Sequence, residues 1–68
     1  MIINFFLNGQ KYQILTNLSI QEILYYFNYQ NEIFVIEYND EIFNRNQSKN
    51  TCILNNDRIE IITVVGGG

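Results

Sequence analysis

The chain has no histidine, no proline and one cysteine, Cys52. A single cysteine forms no intramolecular disulfide, which excludes a secreted, disulfide-stapled scaffold. With no histidine and Cys52 alone, this chain assembles neither a zinc site nor His-based catalysis. Only Lys11, Arg45, Lys49 and Arg58 are basic, and the net charge is −3. A phosphate backbone needs clustered Lys and Arg, so nucleic-acid binding is not expected. The apolar runs are too short to span a bilayer. The N-terminus has no basic segment and carries Asn4, so it does not read as a signal peptide. Glycine is scarce as well: of four, three are the last residues, Gly66, Gly67 and Gly68.

What is present suits one small domain. Sixty-eight residues lie near the lower limit for folding without staples, and the ten Phe and Tyr among a 47% apolar composition are ample for a core. Eleven Asn and twelve Ile point to AT-rich codons and a low-GC genome, such as that of an organelle or an AT-rich bacterium. The expected compartment is the cytoplasm, or the plastid stroma for an organelle-encoded chain.

Residues 1–7 read as a strand rich in β-formers. Asn8-Gly9 is the signature of a two-residue type I′ hairpin turn, which needs positive φ at both positions. Gln10 to Leu15 reads as the return strand, with Tyr12 and Ile14 alternating against Lys11 and Gln13. Ser19-Ile20-Gln21-Glu22 is a capping box, with Leu18 and Ile23 at the staple positions. Ile20, Ile23, Leu24 and Phe27 then define one face of a short helix ending near Asn28. At about ten residues this helix must pack on the sheet to persist. Ile33 to Tyr38 and Glu41 to Phe43 read as strands around an Asn39-Asp40 turn. Asn44 to Asn50 reads as loop, Thr51 to Leu54 as a short extended piece, Asn55 to Asp57 as a turn, and Arg58 to Val65 as the final strand.

A single helix covers one face of such a sheet, so the other face of a protein working alone should be polar. Alternation instead places Phe6, Ile33, Val35, Ile62 and Val64 on the uncovered face, an apolar patch of the kind that marks a partner surface. The competing expectation is that the last-strand residues merely fill the sheet. Glu37, Glu41 and Glu60 either complement a basic partner or form a solvated face. Asp57 and Arg58 are expected to pair locally at a turn. Cys52, alone in an apolar stretch, is expected to be a small core residue rather than a persulfide relay.

Residues 66–68 are expected to form a flexible tail after a folded unit of residues 1–65. Taken alone, the three glycines read either as a frayed chain end or as a thin stem without Cβ atoms that threads another protein's active site and presents its α-carboxylate there.

Phe6-Leu7-Asn8-Gly9 opening a hairpin, Ser19 to Leu24 on the helix, Tyr38-Asn39-Asp40-Glu41-Ile42 at the central turn, and Asp57-Arg58-Ile59-Glu60-Ile61 leading to Val64-Val65-Gly66-Gly67-Gly68 together resemble the ThiS family. The resemblance implies an α+β, ubiquitin-like β-grasp fold, a mixed sheet of four to five strands with one helix on one face. It covers nearly the whole chain, with two departures: Asn39-Asp40 stands where Asn-Gly is common, and Asn44-Arg45 where many relatives have Pro-Arg. It further implies a carrier rather than an enzyme. A ThiF-like enzyme using MgATP adenylates the Gly68 carboxylate, while Gly66 and Gly67 deliver it. Sulfur relayed by a cysteine desulfurase converts it to a thiocarboxylate, and a ThiG-like thiazole synthase takes that sulfur for the thiazole of thiamine. No cofactor bound by the chain itself is implied. The alternatives are a MoaD-like carrier for molybdopterin synthase, a protein modifier that forms isopeptide bonds, and a binding module with an inert tail.

Overall fold

The computed structural model describes residues 1–29 and 33–63. Strands β1 (Ile3–Leu7) and β2 (Gln10–Ile14) form a hairpin, followed by helix α1 (Ile20–Tyr26), strands β3 (Phe34–Tyr38) and β4 (Glu41–Phe43), a 3-10 helix (Arg45–Asn50) and strand β5 (Asp57–Thr63). The sheet order is β2-β1-β5-β3-β4. β1 and β5 run parallel, and the other three pairings are antiparallel. The sheet is thus mixed and five-stranded, with α1 on one face. The last strand lies at its centre, where it joins the two hairpins.

Each hairpin closes on a turn with both central residues at positive φ: Asn8 (51°) and Gly9 (81°), then Asn39 (52°) and Asp40 (71°). Asn and Asp tolerate the left-handed region because their short polar side chains bond locally, which accounts for Asp40 where glycine is the simpler solution. Asn28 and Asn56 also have positive φ, so part of the Asn richness serves chain reversal.

The capping box forms as the spacing predicts. Glu22 N donates to Ser19 Oγ at 3.1 Å and Ser19 N donates to Glu22 Oε1 at 2.9 Å. Helix α1 buries Ile20, Ile23 and Leu24 against Phe5, Ile36 and Ile59, each almost wholly enclosed. Ile53, also fully buried, completes this core from the segment before β5.

Three expectations need correcting. Residues 45–50 are a 3-10 helix rather than loop: the Asn44 side chain accepts from Asn46 N at 2.9 Å to cap it, and it buries Ser48. Such a turn has no 3.6-residue apolar period to reveal it. Cys52 is exposed, not core. Ile20 N donates to the Thr51 carbonyl and Ile53 N to the Leu18 carbonyl, both at 2.8 Å, and this short bridge sets the alternation that turns Ile53 inward and leaves Cys52 outside. Arg58 pairs with Asp40 rather than Asp57, at 2.5 Å between two exposed side chains, because neighbouring strand residues point to opposite faces and Asp57 turns into the core.

Candidate functional site

The central position of β5 is fixed by side chains as well as by ladder bonds. From one side, Asn8 Oδ1 accepts from Ile61 N at 2.7 Å while Asn8 N donates to the Ile59 carbonyl at 2.9 Å. From the other, Asn39 N donates to the Arg58 carbonyl and Asn39 Oδ1 accepts from Arg58 N, both at 2.8 Å. Both turn asparagines therefore grip the strand that leads to the tail. At its start, the buried Asp57 carboxylate accepts from the Tyr38 hydroxyl, from Asn39 Nδ2 at 3.1 Å and from Leu54 N at 2.7 Å. Burial, and then the hydrogen bond to Asp57, raise the Tyr38 phenol well above its ordinary value, so it stays protonated. This cluster locks the entry to β5 and offers no reacting group to solvent.

Register defines the uncovered face. Paired residues share a face, so Asn4, Phe6, Arg58, Glu60, Ile62, Val35 and Glu37 all lie opposite α1. Val35 and Ile62 are direct cross-strand partners, 40% and 50% exposed. Ile33 precedes β3 in phase with Val35 and is 76% exposed. Phe6 is half-buried between Lys11 and Arg58, its same-face neighbours. Of the expected patch, the structure thus brings Val35 and Ile62 together, sets Ile33 beside them, and separates Phe6 toward the β1 side. Val64, Gly66, Gly67 and Gly68 lie outside the described residues.

One patch residue was missed. Ile42 is 71% exposed and pairs with Glu37, which puts it on the same face. The two-residue Asn39-Asp40 turn fixes Tyr38 opposite Glu41 and Glu37 opposite Ile42, so the hairpin register contained this signal. Glu37 and Glu60 also face each other directly across β3 and β5. Like charges in that position cost stability, and the pair gives the apolar patch an acidic border. Arg45 lays its guanidinium over the Phe34 ring at 4.0 Å, on the helix side of the sheet. Among the described residues no helix is long and apolar enough to cross a membrane.

A five-stranded mixed sheet gripping one capped helix, with its central last strand running toward a glycine end, defines a ubiquitin-like β-grasp protein. The ThiS family pattern matches residues 5–68, and the chain belongs to that family of small sulfur carriers. The structure of the thiamine biosynthesis protein ThiS from Geobacter metallireducens superposes with a TM-score of 0.79 at 26% identity, over 97% of this chain and 100% of that one. In sequence, the uncharacterised protein ycf40 of Trieres chinensis is 42% identical over 64 residues, covering 94% of this chain and 88% of that protein. The ycf40 protein of Porphyra purpurea is 36% identical over 62 residues, covering 91% and 87%.

Proposed function

We propose that this chain carries sulfur for thiazole formation in thiamine biosynthesis, through a thiocarboxylate on Gly68. The observation that supports the reading is that the family match, over residues 5–68, extends across the Gly-Gly-Gly end. A carboxylate is a poor acyl donor. Attack of a Gly68 carboxylate oxygen on the α-phosphorus of MgATP, bound by a ThiF-like partner, expels pyrophosphate and leaves a mixed anhydride with AMP. The terminal sulfur of a persulfide, charged by a cysteine desulfurase, displaces AMP. A second thiol then attacks the cysteine sulfur of the resulting acyl disulfide, breaks its S–S bond to form a new disulfide, and releases the thiocarboxylate. This soft nucleophile stays tethered, and a ThiG-like thiazole synthase draws its sulfur without free sulfide.

The chain's own residues bind and present; the catalytic groups and MgATP belong to the partners. Gly66 and Gly67 are the stem, thin because they lack Cβ atoms. Val35, Ile62, Ile33 and Val64, with Ile42 at the margin and Phe6 toward β1, form the docking face, and Glu37 and Glu60 favour a partner with a basic group beside an apolar contact. The richness in Asn and Ile, residues with AT-rich codons, supports a plastid-stromal role.

Reconstitution tests the pathway. The thiocarboxylated chain, supplied to a thiazole synthase with its other substrates, is expected to yield thiazole phosphate in proportion to carrier consumed. Sulfur transfer to a molybdopterin synthase large subunit and none to the thiazole synthase would refute the thiamine assignment while leaving the carrier chemistry intact.

A further inference from the structure

A second surface lies at the far edge of the sheet, where β2 pairs with β1 alone. Which of its backbone groups are free follows from β1. The Asn4 carbonyl accepts from Asn56 N at 2.6 Å and Asn4 N donates to Asn55 Oδ1 at 2.8 Å, both on the β5 side. Backbone groups alternate in direction along a strand, so Ile3, Phe5 and Leu7 face β2 and form the hydrogen-bonded pairs with Ile14, Tyr12 and Gln10. The N–H and C=O groups of Lys11 and Gln13 therefore project from the outer edge, where no described strand meets them.

Beside that edge runs a groove of about 240 Å³ between β2 and α1, walled by Tyr12, Ile14, Leu18, Tyr26 and Phe27 over Phe5. No charged side chain lines it. It is held open by aromatic packing: Tyr12 stacks on Phe5 with centroids 5.7 Å apart and meets Phe27 edge-on at 5.1 Å. Tyr26 at its rim is 76% exposed.

We propose that this edge and groove accept an extended segment of a partner protein by strand addition. The segment alternates aliphatic and polar side chains, with a carboxylate in the position that pairs with Lys11. Edge hydrogen bonds supply affinity in this mode, and alternate side chains supply specificity. Residues of the segment opposite Tyr12 and Ile14 enter the groove. The residue opposite Lys11 shares its face, where an opposite charge is favourable. A second copy of the chain fits less well: β2 carries one cation and no acid, so a copy's β2 gives Lys11 no counter-charge. The groove lies on the other side of the sheet from Val35 and Ile62, and although Lys11 shares the uncovered face with Phe6, the edge does not rest on the sulfur-carrier reading and addresses a different partner.

The test titrates the full-length ¹⁵N-labelled chain with a short acetylated peptide alternating valine and serine around one aspartate. The Lys11 and Gln13 amide resonances are expected to shift and their solvent exchange to slow by about tenfold, while the same peptide N-methylated at alternate residues has no effect. Gln13→Pro removes an edge donor at a position an edge strand tolerates, and about tenfold weaker binding is expected by a chain that remains folded. Lys11→Glu, an exposed change, is expected to reverse the preference toward a peptide carrying lysine in place of aspartate. Unmoved Lys11 and Gln13 resonances, shifts confined to Val35 and Ile62, equal binding of the N-methylated peptide, or β2 shifts that follow protein concentration without peptide would each overturn the proposal.

Discussion

Val35 and Ile62 sit directly opposite each other across β3 and β5, on the face that α1 leaves bare. Both remain substantially exposed, and Ile62 is one residue from the end of the described strand. If this pair docks the activating enzyme, Ile62→Asp should leave the fold intact, because the side chain is half in water already. Surface changes of this kind stay within about 0.5 kcal/mol. Adenylation by the ThiF-like partner should fall at least tenfold, mainly through KM. Pyrophosphate-release kinetics with unchanged circular dichroism check it, and wild-type KM in the variant would remove Ile62 from the docking face.

Glu37 and Glu60 form a like-charge pair on the same face. Glu60→Gln relieves repulsion and should raise stability by roughly 0.2–1 kcal/mol. The same change should weaken partner binding and reduce its salt dependence. The two effects have opposite signs, so denaturant melts and calorimetric titration together separate a functional acidic border from an ordinary solvated one, for which binding would not change.

Tyr38 and Asp57 give a pH dependence whose sign is fixed. The folded chain holds the Tyr38 proton above the ordinary value of 10.0, so above that pH the unfolded chain loses it first. The stabilising contribution is therefore complete below about pH 10 and is lost as pH rises toward the folded value. Tyr38→Phe should cost about 1 kcal/mol at neutral pH, the net worth of a typical hydrogen bond. It should also make the alkaline decline shallower than in wild type. Urea melts across the alkaline range read both, and parallel declines would show that Tyr38 is not the titrating group.

Asn39 donates its Nδ2 to Asp57, donates its backbone N–H to the Arg58 carbonyl and accepts from Arg58 N at its side-chain Oδ1, all while holding a positive φ. Asn39→Ala removes the side-chain bonds and strains the turn, and a loss of about 2–3 kcal/mol is expected. Asn39→Gly relaxes the φ but still lacks the side chain, so it should recover only part of that loss. Full recovery would mean that conformation alone, not the grip on β5, accounts for Asn39.

Local signals carried most of this architecture. The Asn8-Gly9 turn, the Ser19–Glu22 box and strict alternation in β1 and β5 each act over a few residues, and each appears where the spacing put it. What escaped the sequence depended on contacts far along the chain. Cys52 is exposed because the Leu18–Ile53 and Ile20–Thr51 backbone bonds set its phase. Asp57 turns inward to reach Tyr38, nineteen residues away, which frees Arg58 for Asp40. Of the site, Val35 and Ile62 were legible from alternation. Ile42 needed the hairpin register to be carried one step further, and the Glu37–Glu60 pairing needed the register between β3 and β5, which no turn connects directly.

The intact mass of the chain after incubation with a ThiF-like enzyme, MgATP, a cysteine desulfurase and cysteine tests the central claim most directly. The account predicts a gain equal to the replacement of one oxygen by sulfur, localised to Gly68 by fragmentation and absent from a chain lacking Gly68. An unchanged mass in the wild type under conditions that charge an authentic carrier, or an equal gain in the chain without Gly68, would contradict it.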